Sequence, residues 1–116
     1  MDIEMLRRYC LSLPRATEGI QWGNNLLFRI GAKMFAIAAL DRTPVALSFK
    51  CAPEEFAELI EREGIIPAPY LARNKWVMIE SLDVLPRAEL KRLLKDSYTM
   101  VAAKLPKKVR AELGLR

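Results

Sequence analysis

Residues Tyr70-Leu71-Ala72-Arg73-Asn74-Lys75-Trp76 bring two cations, an amide and two aromatic rings together in seven positions. That combination suits contact with an anionic polymer. Arg73 and Lys75 can neutralise phosphates, Asn74 can reach a base or sugar edge, and an aromatic face stacks on an exposed base. Trp22, in the turn-forming run Trp22-Gly23-Asn24-Asn25, is a second candidate stacking ring. Lys33, Lys50 and Arg29 add charge along neighbouring segments. Each of these residues also has an ordinary use. Trp76 opens the β-type run Trp76-Val77-Met78-Ile79 and as a strand residue would pack its ring beneath a helix, and Trp22 would plug one end of a core. The cations would simply be solvated.

Other chemistries are narrowed by composition. The chain contains no histidine, which removes the commonest general base and metal ligand and excludes Ser-His-Asp, Cys-His and His-zinc sites. Cys10 and Cys51 are 41 positions apart. That is no metal-clip spacing, and the pair is expected to be two reduced core thiols. No glycine-rich phosphate loop and no nucleophile motif is present. The expectation is therefore no catalytic residue, no metal and no cofactor. An enzymatic alternative would need a pocket holding Tyr70, Lys50 and a carboxylate.

The elements that must position these residues follow from periodicity. Asp2 caps a helix over residues 3–13, with Ile3, Leu6, Cys10 and Leu13 on one face. Residues 15–25 are expected as loop. Strands follow at 26–31, 33–40 and 45–50, the first two joined by Gly31-Ala32 in a tight hairpin. Pro53-Glu54-Glu55 opens a second helix to about Glu63, stopped by Gly64. Residues 65–75 are loop with one short strand near Tyr70, and a further strand spans 76–80. Pro86 opens the longest helix, with Leu90, Leu93, Leu94, Ser97, Val101 and Leu105 on its inner stripe. Pro106 ends that helix, and residues 107–116 form a short basic helix or tail.

The length of 116 residues fits one domain, and 52% apolar with 28% charged residues marks an ordered, globular chain. No apolar run approaches the roughly 18 residues of a membrane span. The start, Met1-Asp2-Ile3-Glu4, lacks a signal-peptide layout, so a cytoplasmic protein without a membrane partner is expected. Charge is uneven: residues 1–86 carry 10 Lys/Arg against 11 Asp/Glu, whereas residues 87–116 carry 9 against 3. That bias suits an anionic partner. In the last stretch Arg87, Lys91 and Lys95 share one helix face, followed by Lys104, Lys107, Lys108 and Arg110.

Several pieces then act together: Tyr9-Cys10-Leu11-Ser12-Leu13-Pro14, Trp22-Gly23, Lys33-Met34-Phe35-Ala36, Leu47-Ser48-Phe49-Lys50-Cys51, Asn74-Lys75-Trp76, Ser97-Tyr98 and Ala103-Lys104-Leu105-Pro106. In this order and spacing, from Met1 to about Lys108, the chain resembles the MmcQ/YjbR family of small bacterial proteins. The resemblance implies an α+β two-layer sandwich of order α-β-β-β-α-β-β-α, described as CyaY-like or secretion-chaperone-like, with an antiparallel sheet and helices on one face. It also implies DNA binding through a double wing of β-hairpins, an inference made at the level of fold. One departure stands out: members often carry a histidine near Trp76, and this chain has none.

The combined expectation is a single domain over 1–116 that binds DNA without chemistry. Its contacts would be Lys33, Lys50, Arg73, Asn74 and Lys75, with Trp22 and Trp76. The alternative is a protein-interaction adaptor, marked by an apolar patch around Trp22, Phe35 and Tyr70.

Overall fold

Asp2 starts the first helix as expected. Its carboxylate accepts the Met5 amide at 2.8 Å, an N-cap bond, and α1 runs Ile3–Ser12 with Leu6 and Cys10 buried. The computed structural model describes residues 1–115. After Pro14 the chain departs from expectation: Ala16–Gln21 is a strand, β1, and not loop. It pairs antiparallel with β2, Asn25–Ile30, from Ala16↔Ile30 to Gln21↔Asn25. The sequence Ala-Thr-Glu-Gly-Ile-Gln shows no apolar alternation because β1 is an edge strand with only part of one face covered. It is tied to α1 by the Arg7 guanidinium, whose Nε and Nη2 donate to the two Glu18 carboxylate oxygens at 3.0 and 2.6 Å.

The remaining elements are β3 (Lys33–Ala39), β4 (Ala46–Lys50), α2 (Pro53–Leu59), β5 (Ile65–Pro67), β6 (Trp76–Ile79), α3 (Arg87–Ala103) and α4 (Lys107–Glu112). The strands form one antiparallel sheet in the order β1-β2-β3-β4-β6-β5. This is the α+β fold expected, with α1, α2 and α3 packed through one core on one face of the sheet. Two details differ. The second helix ends at Leu59, and the chain then turns through Glu61 N–H→Glu58 O and Arg62 N–H→Leu59 O bonds. Gly64, at φ +84, follows where a Cβ would lie 2.9 Å from Val84. The short strand is Ile65–Pro67 at the sheet edge, where a proline is tolerated, and not near Tyr70.

One irregularity shapes the centre of the sheet. Phe28 pairs with Ala36 but Arg29 pairs with Met34, so Phe35 has no partner on β2, a β-bulge. Phe35 and Ala36 consequently both reach the helix-side core. Met34 is turned to the opposite face, where it packs with Ile37 beside Trp76. Pairing of β3 with β4 reaches only Ala36↔Phe49, leaving the Phe35 carbonyl and the Lys50 amide beyond the ladder. Ser97 of α3 satisfies both: its Oγ donates to Phe35 O at 2.7 Å and accepts from Lys50 N–H at 3.0 Å. Ser97 is the one fully buried polar residue among those described.

Ser97→Ala leaves a buried carbonyl and a buried amide without partners, so urea unfolding should show a loss of about 2 kcal/mol. A change below about 0.5 kcal/mol would remove Ser97 from this role. The Arg7–Glu18 pair carries a sign for pH. Its hydrogen bond to Arg7 holds the Glu18 carboxyl below the usual carboxylate range. The stabilisation is present above the unfolded carboxylate range and is lost as pH falls through the lower folded value. Arg7→Met should therefore be less stable than the parent at neutral pH, and the gap should close on acidification. A gap that persists in acid would contradict the assignment.

Candidate nucleic-acid interface

The sheet face opposite the helices carries its own apolar strip. Cross-strand register aligns Leu27, Ile37, Ser48, Met78 and Ile66 across it. Ala46, Ala68, Trp76 and Met78 form a second small core there, with Met34, Ile37, Ala39 and Leu71 packed against it. Its cover is the 68–75 segment. Ala68 N–H donates to Trp76 O at 3.0 Å, and a 3₁₀ turn over Ala72–Asn74 ends at Lys75, whose φ is +65. β4 and the residue after it fasten this turn down: Lys50 Nζ donates to Asn74 O at 2.6 Å, and Cys51 N–H to Lys75 O at 2.9 Å.

Two adjoining concavities result. The first, of about 440 Å³, is lined by Lys33, Lys50, Lys104 and Asn74 around Met34, Leu71, Trp76 and Val101. The second, of about 600 Å³, lies between Trp22 and Tyr70, with Asn25, Met34, Ile37, Pro69 and Leu71 as its other lining. Met34 and Leu71 belong to both. The bulge at Phe35 is what places them side by side, because it sends Met34 across the sheet. The β2–β3 turn is also clamped. Gly31 has φ +63, and a Cβ there would meet Leu105 at 3.3 Å, so the hairpin tip rests on the α3–α4 junction. Lys33 is thereby brought beside Lys104, which occupies the C-cap of α3, a helix end that favours a cation.

No Asp or Glu lines either concavity, and none of the three lysines takes part in an ion pair among the described residues. Burial, and next the charge of Lys104, push the Lys50 ammonium below the ordinary lysine range. Its bond to Asn74 O uses one of three donors, so two remain. The aromatic pair is held with similar firmness. Trp22 is 66% exposed at φ +52, and Tyr70 is fully exposed at φ +66. Left-handed backbone costs a non-glycine residue roughly 1–3 kcal/mol. The Trp22 turn is fixed by Asn25 Nδ2 donating to Trp22 O at 2.7 Å.

The structure sorts the expected residues. Lys33, Lys50, Asn74 and Trp76 meet in one concavity, and Trp22 flanks the next. Trp76 is only 5% exposed, so it forms the floor, and its ring is not a free stacking surface. Arg73 is exposed on the loop but outside both linings. Lys75 is turned towards α2, with Nζ 5.1 Å from the Phe56 ring centroid. Phe35, expected in an apolar surface patch, is fully buried in the helix-side core. Lys104 was visible only as one of many helix cations, and nothing local in the sequence ties it to Lys33 and Lys50. Tyr70 and Lys50 line neighbouring concavities rather than one, and neither lining contains an Asp or Glu. Burial pushes the Cys10 thiol up to about 12 and the Cys51 thiol up to about 11, as suits core thiols.

Residues 11–100 match the YjbR family, and the chain belongs to it. The fold is similar to the crystal structure of Deinococcus radiodurans protein DR2400, described by a DUF419 domain. The TM-score is 0.87 at 32% identity, over 98% of this chain and 88% of that one. A Pseudomonas syringae protein shares the fold at TM-score 0.73 and 19% identity, over 87% of this chain and 99% of that one. No curated protein matches the chain significantly. No helix among the described residues is long and apolar enough to cross a membrane.

An anion drawn into the lysine concavity would favour the charged form of Lys50. Its side-chain titration, followed by NMR, should therefore begin below the ordinary lysine range and move upward when inorganic pyrophosphate is added. An unchanged midpoint at saturating pyrophosphate would contradict an anion site here.

Proposed function

We propose that this YjbR-family chain is a non-catalytic nucleic-acid-binding protein of the cytoplasm, and that it contacts DNA with the helix-free face of its sheet together with the adjoining C-terminal end of α3. The observation that carries this reading is the trio Lys33, Lys50 and Lys104. They surround one concavity with no carboxylate in its lining, next to two solvent-exposed aromatic rings. Cations without acidic partners are what a phosphate backbone requires, and aromatic faces add stacking that duplex phosphates alone do not use. Arg73, exposed on the same loop, supplies outer charge. A protein-interaction role is favoured by a different observation, the apolar cleft between Trp22 and Tyr70. The lysines beside that cleft, together with the overall charge of +5, weigh towards the polyanion.

A salt titration decides between the two. Three phosphate contacts should give log K falling with log salt at a slope of about −2 to −3, for single-stranded and duplex DNA alike. Lys33→Glu combined with Lys104→Glu should lower affinity by roughly tenfold or more at low salt. The proposal fails if no DNA binds at low salt, or if the double variant binds as the parent does.

A further inference from the structure

We propose that the ligand unit of this face is an unpaired nucleotide: its base enters the cleft between Trp22 and Tyr70, and its phosphate sits among Lys33, Lys50 and Lys104. The inference rests on the nucleic-acid reading above and narrows it to single strands. In a duplex the base faces are stacked on their neighbours, and only edges and phosphates are presented. Two aromatic rings held in solvent by left-handed backbone, Trp22 at φ +52 and Tyr70 at φ +66, would then have nothing to stack on. A single strand supplies free base faces, and every base has one, so such a cleft is tolerant of sequence.

The neighbouring linings agree. The cleft is apolar except for Asn25. One donor of the Asn25 amide is engaged with Trp22 O, which leaves its carbonyl oxygen to accept from the edge of a base. Met34 and Leu71 wall both the aromatic cleft and the lysine concavity, so a base in one brings its own phosphate to the other. An apolar peptide side chain would fill the cleft but leave three lysines without a counter-charge. Charge complementarity therefore selects the nucleotide as occupant.

The test is fluorescence anisotropy with a labelled oligothymidylate of about ten nucleotides and a duplex hairpin of the same length, at one salt concentration. The single strand should bind at least roughly tenfold tighter than the duplex. Trp22→Ala and Tyr70→Ala should each weaken the single strand by roughly 5- to 150-fold and leave the duplex within about twofold, and Trp22→Phe should restore most of the loss. Both rings lie outside the core, so these variants keep the fold, which thermal unfolding can verify. Binding should also quench Trp22 emission, and that quench should vanish in Trp22→Ala. If the aromatic variants bind the single strand normally while Lys33→Glu weakens both ligands, the inference falls and the broader reading stands. If neither ligand binds, or if Trp22→Ala instead abolishes binding of an apolar peptide, both fall.

Discussion

The Ser97 hydroxyl occupies the point where the β3–β4 ladder stops, and much of the molecule is arranged around it. Without it, the Phe35 carbonyl and the Lys50 amide would be left with no hydrogen-bond partner, a cost of about 2 kcal/mol for the two together. With it, the bulge at Phe35 is sustainable. That bulge allows two successive β3 residues, Phe35 and Ala36, to face the helices while Met34 faces the other way. Phe35 then meets Tyr98 edge-on at 5.4 Å, so one turn of α3 supplies both the polar clamp and an aromatic contact. Lys50, on the far side of the same bond, is left with its ammonium at the surface of the opposite face.

The two faces of the sheet have different fates. One is closed by three helices in a continuous core. The other is closed only where the 68–75 segment lies across it, over Trp76 and Met78. Two large aromatic rings stay in solvent there, Tyr70 on the covering segment itself and Trp22 beyond it. Burying such rings would ordinarily stabilise a fold by a few kcal/mol, and here the backbone instead adopts strained angles that keep them out. Strain of this kind concentrates at functional positions. It falls on Trp22 and Tyr70, which border the proposed site, on Lys75 at the end of the covering turn, and on Arg15 away from the site.

Much of the architecture was legible in the residues. Asp2, Gly31, Pro86 and the Leu90–Leu105 stripe each mark a boundary or a face, because caps, turns and helical periodicity are local. β1 was not legible. Its stabilisation comes from pairing with β2 and from Arg7 on another element, and Gly19 and Glu18 in isolation argue for a turn. The site was half legible. Lys33, Lys50 and Asn74 could be chosen as charged or polar residues near hairpins and loops, but their meeting with Lys104 depends on the bulge and on Gly31 resting against Leu105. Neither has a local signature. For the same reason the outward fate of Tyr70, the buried fate of Trp76 and the turn of Lys75 towards Phe56 could not be separated within one seven-residue run.

The central claim is that a nucleic acid lies on the helix-free face and the C-terminal end of α3 beside it, and not on the outer α3 surface of Arg87, Lys91 and Lys95. NMR chemical-shift mapping with an unlabelled oligonucleotide addresses it directly. The account predicts perturbations concentrated at Trp22, Asn25, Lys33, Met34, Lys50, Tyr70, Leu71 and Lys104, with Arg87, Lys91 and Lys95 unmoved. Perturbations confined to Arg87, Lys91 and Lys95, or none at all at saturating oligonucleotide and low salt, would contradict it.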